Sequence, residues 1–123
     1  MTASSKASGD FYEAVAARYL TKHGVRLIDK NVRFRGGEID LIGYDGDTLV
    51  FFEVRYRAAG SQTSAAESVS ASKQQRLVRS AKTYLHRHSL WDTNARIDVI
   101  AIAPGIVSRY RIQWLRNAIE ATS

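Results

Sequence analysis

Two neighbouring segments set carboxylates into an otherwise apolar strand pattern. They are Gly37-Glu38-Ile39-Asp40-Leu41-Ile42 and Phe51-Phe52-Glu53-Val54-Arg55-Tyr56-Arg57. In a strand, side chains alternate between faces, so Glu38 and Asp40 share one face, as do Glu53 and Arg55. Ile39, Leu41, Val50, Phe52 and Val54 fill the opposite faces with apolar bulk. If the two segments pair through the Tyr44–Thr48 turn, three carboxylates and a guanidinium meet on one wall. Strand interiors are poor in Asp and Glu, because a carboxylate is costly to bury without a partner. A cluster of this kind calls for a compensating cation, and a divalent metal with oxygen ligands is the natural candidate.

The 123 residues suit one domain built on one core. The formal net charge of +6 favours polyanionic partners, nucleic acid first, although a solvated basic surface explains it too. The absence of cysteine excludes disulfides, thiolate metal sites and a cysteine nucleophile. Apolar runs such as Leu49–Phe52 are too short to span a bilayer, and Met1 to Ser8 is polar with no apolar signal core. The expectations are a disordered polar tail over 1–8, a single domain over 9–123, no membrane contact and a cytoplasmic location.

Periodicity predicts a helix over Asp10–His23 and a strand over Val25–Val32. A basic, glycine-ended connection over Arg33–Gly37 follows, then a hairpin of Glu38–Gly43 and Leu49–Arg57 around Asp45-Gly46-Asp47. Ala58–Ser70 reads as a mobile loop. Ser72–His88 reads as a second helix with Ser72 as its cap. Ile97–Ile102 has the continuous apolar character of a buried strand, and Pro104-Gly105 of a turn. Val107–Ile112 reads as an edge strand and Trp114–Ala121 as a short closing helix. The fold class is an α/β layer with a mixed sheet.

Taken together, Gly36-Gly37-Glu38-Ile39-Asp40-Leu41-Ile42, Phe51-Phe52-Glu53-Val54-Arg55-Tyr56-Arg57, Ser72-Lys73 and Arg96-Ile97-Asp98-Val99 resemble the bacterial YraN family. That family is similar to the PD-(D/E)XK, or restriction-endonuclease-like, superfamily, and in element order to archaeal Holliday-junction resolvases. The resemblance spans about residues 9 to 118 by motif order. It implies a restriction-endonuclease-like fold, with a mixed central sheet flanked by helices in the order α-β-β-β-α-β plus a short β-α end. It also implies a metal-dependent nuclease that hydrolyses DNA phosphodiester bonds, structure-selectively in the resolvase-like case, with Mg²⁺ or Mn²⁺ as cofactor and action as a homodimer.

Residue by residue, the resemblance makes Asp40 and Glu53 the shared metal ligands, with the carbonyl of Val54 and the helix residue Glu13 completing the set. Glu38 has no fixed counterpart. The departure is Arg55, where the superfamily pattern has lysine. Arginine stays charged and cannot act as a base, yet it can clamp a phosphate and offset transition-state charge. Lys73 is the candidate for a migrated catalytic ammonium, with a phosphate contact or a solvated helix residue as alternatives. Arg33, Arg35, Arg57, Arg76 and Arg79 are candidates for tracking a nucleic-acid backbone. Phe34, Tyr56 and Tyr84 either stack on bases or belong to the core.

Other readings stay open from the sequence. Asp40 and Glu53 could be structural carboxylates paired with Arg55, Arg33 or Arg35, and Glu13 a surface helix charge. Asp98 reads as structural, holding an arginine or a backbone amide. His86 and His88 do not share a helix face, so zinc is not expected there. The rival functions are a nucleic-acid-binding module of the same fold that Arg55 has robbed of hydrolysis, and an accessory protein-interaction domain using Trp91 and Ile112–Ile119.

Overall fold

The computed structural model describes residues 2–57 and 67–120, with side chains from Gly9 onward. The first helix, α1 (Thr2–Lys22), begins well ahead of Asp10, so the stretch expected as a disordered tail forms its opening turns. It ends where Gly24 adopts φ 91° and the Val25 amide reaches back to the Leu20 carbonyl at 3.0 Å, a glycine-type helix stop. Three strands follow: β1 (Arg26–Phe34), β2 (Gly37–Asp45) and β3 (Thr48–Tyr56). Arg33 and Phe34, expected in a connection, are part of β1, leaving only Arg35-Gly36 as the turn. The β2–β3 hairpin turns on Gly46, at φ 61°, as its Asp-Gly-Asp sequence requires.

Of the expected Ala58–Ser70 loop, residues 58–66 lie outside the described residues. Its end is a turn that buries Val69 in the core. The second helix, α2 (Ala71–Arg87), is capped by Ser70, whose hydroxyl accepts from the Lys73 amide at 3.1 Å; Ser72, the expected cap, lies inside the helix. Strand β4 (Ala95–Pro104) includes Pro104, which was expected in a turn. Residues Val107 to Arg109 belong to the β4–β5 connection, not to a strand. The chain then forms β5 (Tyr110–Ile119), and the closing helix expected over Trp114–Ala121 does not exist among the described residues.

The five strands lie in sequence order, antiparallel except for the parallel β3–β4 pair that α2 bridges. Each face of the sheet carries one helix and one apolar layer. Leu77, Ala81 and Tyr84 of α2 pack on Ile42, Phe51, Ile97 and Val99. Ala16 and Leu20 of α1 pack on Leu41, Val50, Phe52, Ile100 and Ile102. The arrangement is a mixed α/β fold in the order α-β-β-β-α-β-β. Among the described residues no helix is long and apolar enough to cross a membrane.

The misread end of the chain has a physical explanation. The β4–β5 register shifts between Ile97 and Val99, leaving a bulge around Asn117, which sits at φ 52°. Side chains before and after the bulge therefore serve different layers: Ile112 and Trp114 face α1, while Leu115, Ala118 and Ile119 face α2. That broken alternation imitates a helical period. The fully buried Asp98 holds the bulge together. It accepts from the Asn117 amide (2.7 Å), Trp114 Nε1 (2.8 Å) and Arg96 Nε (3.0 Å), while Arg96 also reaches Asp45 at 2.7 Å. The structural role expected of Asp98 is the one it plays.

Removing one member of a buried, hydrogen-bonded charge pair costs about 3 kcal/mol or more. Asp98→Ala should show that loss in urea melts, with Asn117→Gly close to neutral because glycine accepts a positive φ. Equal stability of Asp98→Ala and the parent chain would contradict this account of β5.

Candidate active site

The strand pattern at Asp40 is not a simple alternation. Ile39 and Ile42 both belong to the α2-side layer while Leu41 belongs to the α1-side layer. Across from Asp40, Asn31 of β1 sits at φ 51°, and the β1–β2 pairing passes from Lys30↔Leu41 to Val32↔Ile39 around it. Asparagine is one of the few residues that tolerates this conformation. On the other side, pairing of β2 with β3 ends at Leu41↔Phe52. Asp40 is thus the first residue after β2 leaves β3, at a kink that turns its side chain across the sheet. Its Oδ2 accepts the Val54 amide at 2.8 Å, replacing the strand partner that β3 has lost. Glu38 and Asp40 still line one small cavity, although Ile39, Leu41 and Ile42 break the simple alternation expected around them.

Glu53 is 2 % exposed and lies on the α2 side of β3, in step with Phe51. The first turn of α2 brings Lys73 against it, with Nζ 3.2 Å from Oε2. Arg55 stands farther off, with Nη1 3.7 Å from the same oxygen. Its Nη2 donates to the Ser68 carbonyl at 2.7 Å. Among the buried side-chain atoms of the described residues, Arg55 Nε alone lacks a partner. Gly37 allows α2 to come this close, since a β-carbon there would stand 3.0 Å from the buried Ser80 Oγ. Between the β1–β2 turn and α2 lies a small cavity of about 120 Å³, lined by Gly36, Gly37, Glu38, Asp40, Lys73, Arg76 and Leu77.

Electrostatically, the carboxylates act on one another. Burial, and then the negative charge of Glu53, push Asp40 up to about 8, against the Val54 amide that favours its ionised form. Glu13 of α1 contributes to the same field. Its own carboxyl is raised by partial burial and by Glu38, Asp10 and Glu53, with Asn31 opposing through a hydrogen bond. Glu13, Asp40 and Glu53 are thus electrostatic neighbours, with Glu38 at the rim. Among the described residues, however, no group of three or more His, Cys, Asp or Glu is arranged to hold an ion by itself.

The expected basic residues divide. Arg76 lines the cavity beside Asp40, and Arg57 lines an open groove with Val54, Arg55, Tyr56 and Ser68. Arg79 instead faces a separate hollow with Gln75, Lys82 and Glu120. Arg33 is exposed opposite Glu38, and Arg35 occupies the turn. Tyr84, a candidate base platform, is a core residue 5 % exposed and set edge-on to Phe51. Phe34 packs at the edge of the same layer under Arg87. Tyr56 is exposed. Sequence reading missed the kink at Asp40, for which Asn31 in mid-strand was the available signal.

Fold and site define a mixed α/β protein with an acidic pair, buried Glu53 and partly buried Asp40, where β2 and β3 part, answered by a lysine from the crossover helix. The chain belongs to the family described as "Uncharacterised protein family UPF0102", whose model matches residues 12–102. It is 62 % identical over 117 residues to a UPF0102 protein of Marinobacter nauticus, covering 95 % of each chain. It is 44 % identical to one from Stutzerimonas stutzeri, covering 95 % of this chain and 98 % of the relative. The UPF0102 protein YraN of Salmonella newport is 47 % identical, over 94 % of this chain and 86 % of its own length.

Asp40 holds its proton to about 8 when folded, against an ordinary 3.8, so the folded chain binds the extra proton across that window. Stability should therefore fall as pH rises through it. In chelator, Asp40→Asn should remove most of that fall and be the more stable of the two at pH 8, read by denaturant melts. A parent and variant with parallel pH dependences would refute the assignment.

Proposed function

We propose that the chain is a divalent-metal-dependent nuclease of the restriction-endonuclease-like, PD-(D/E)XK type, acting on DNA phosphodiester bonds. The observation that carries the reading is the pairing of Asp40 with Glu53. A carboxyl group whose proton affinity is raised by burial and by a neighbouring acid is a hard-oxygen donor from which Mg²⁺ or Mn²⁺ displaces a proton. In an extended strand a residue's amide and carbonyl point to the same edge, so Val54, whose amide reaches Asp40, turns its carbonyl toward the same gap. Asp40, Glu53 and that carbonyl would hold the ion, with Glu13 at the outer edge, and leave positions for water and phosphate oxygens. The bound ion supplies Lewis acidity to the phosphate and lowers the pKa of its own water.

The residues of the chain do the rest. Lys73 supplies the ammonium that the usual motif places on the strand, and it stands next to Glu53 where it can orient water or a phosphate oxygen. Arg55 is fixed through Ser68 and adds positive charge without accepting a proton. Arg76 and Arg57, on the two sides of the acidic pair, are the best placed of the arginines to follow a phosphate backbone, with Arg33 and Arg35 farther out.

One observation favours a second reading. Lys73 and Arg55 both answer Glu53 directly, so the acidic pair could be a neutralised remnant in a nucleic-acid-binding module. Metal uptake separates the two. With Mn²⁺ present, the melting temperature of the parent chain should rise and that of Asp40→Asn should not. Uptake should strengthen as pH rises toward 8, because the proton must leave. Branched and single-stranded DNA should be cut in Mg²⁺ or Mn²⁺, with at least hundredfold loss in Asp40→Ala, Glu53→Ala and Lys73→Ala. Cleavage unaffected by the first two would defeat the proposal. DNA binding without cleavage or metal uptake would establish the second reading.

A further inference from the structure

An exposed aromatic stack adjoins the acidic centre without belonging to it. Tyr56 lies on Tyr12 with ring centroids 4.3 Å apart and planes 18° from parallel. Phe11 and Tyr110 close on Tyr12 edge-on, at 5.3 and 6.3 Å. Tyr56 remains 42 % and Phe11 45 % exposed, which is unusual for rings already gathered into a cluster. Alternation along β3 places Tyr56 two residues beyond Val54, about 7 Å along the strand from the amide that holds Asp40. On α1, Tyr12 directly precedes Glu13. The stack thus lies on the α1 side of the sheet beside Val54, at the β3 end where Asp40 takes the Val54 amide, while Glu53 turns to the α2 side.

Its surroundings are cationic. The groove beside Tyr56 holds about 370 Å³ and is lined by Arg55 and Arg57, with no carboxylate among its described lining residues. Arg109 lies over the Tyr110 ring at 5.9 Å. A flat apolar step between guanidinium groups, on a chain of net charge +6, complements a polyanion that carries π-faces. A second copy of the chain is a poorer occupant, because a two-fold contact here would set like charges against each other.

We propose that this stack is a platform for an unpaired nucleotide next to the cleavage site. The base lies on Tyr56 while its backbone passes Arg57 toward Asp40 and Glu53. A separation of about 7 Å equals roughly two stacked base rises. Bases inside an intact duplex have no free face to offer, so the platform selects single strands, frayed ends or the arms of a branch point. In placing the scissile phosphate at Asp40 and Glu53 the proposal rests on the nuclease reading, but base stacking can be measured without cleavage.

The test is binding in chelator of a short single-stranded DNA containing 2-aminopurine, against the same sequence as a blunt duplex. The full chain is compared with Tyr56→Ala and Tyr56→Phe, each checked for an unchanged melting temperature. Tyr56→Ala should weaken single-strand binding about tenfold and abolish 2-aminopurine quenching, with duplex binding moving less than twofold. Tyr56→Phe, which keeps the ring, should stay within twofold of the parent in both. Equal losses on single strand and duplex, no loss on either, or no binding of any strand would overturn the proposal. So would a dimer seen in sedimentation that Tyr56→Ala disperses. Ring-dependent binding without cleavage in Mg²⁺ or Mn²⁺ would uphold the platform and defeat the nuclease reading. Cleavage with ring-independent binding would do the reverse.

Discussion

The hydrogen bond from the Val54 amide to Asp40 marks the point on which the arrangement of the site depends. Where β2 leaves β3, a central strand loses the partner for its backbone, and a buried amide cannot be left unanswered without cost. Asp40 answers it with a side-chain oxygen and so is drawn into the gap beside Glu53. The repulsion between those two acids follows from the same geometry that satisfies the backbone. A local problem of sheet termination thus brings two acids together at one place in a positive molecule.

The fold offers an internal comparison. Asp98 is as deeply buried as any group among the described residues, yet its oxygens accept from an amide, an indole and a guanidinium. Its environment is complete, and it behaves as a structural pin. Among the described residues Asp40 and Glu53 have one amide, one close ammonium and one more distant guanidinium between them, and the charge of Glu53 acts on Asp40. Buried polar groups left partly answered cluster where chemistry is done, because full satisfaction would leave nothing for a ligand to contribute.

Much of this was legible in the residues. The central hairpin, the apolar β4 strand, the α2 helix and the mixed sheet follow from periodicity and from the Asp-Gly turn. The pairing of Asp40 with Glu53 and the structural role of Asp98 followed from carboxylates placed in strands. What went unread were the two breaks in alternation, with Asn31 in mid-strand the one signal for the first. Asn31 and Asn117 each change which layer their neighbours serve, so Leu115, Ala118 and Ile119 imitated a helix face. The contact of Lys73 with Glu53 was also hidden, because it depends on how closely α2 approaches Gly37. Tyr84 alternated with basic residues in the chain and still went to the core, because the apolar stripe of α2 demanded it.

The two asparagines have a consequence for how the molecules meet one another. β1 and β5 are the outer strands of the sheet, and each carries one left-handed residue in its interior. An outer strand that runs straight offers a neighbour a continuous ladder of amides and carbonyls, which is the usual route to uncontrolled association. A kink on each margin interrupts that ladder after a few residues. Growth of the sheet is therefore hindered on both sides, although no covering helix seals either margin among the described residues.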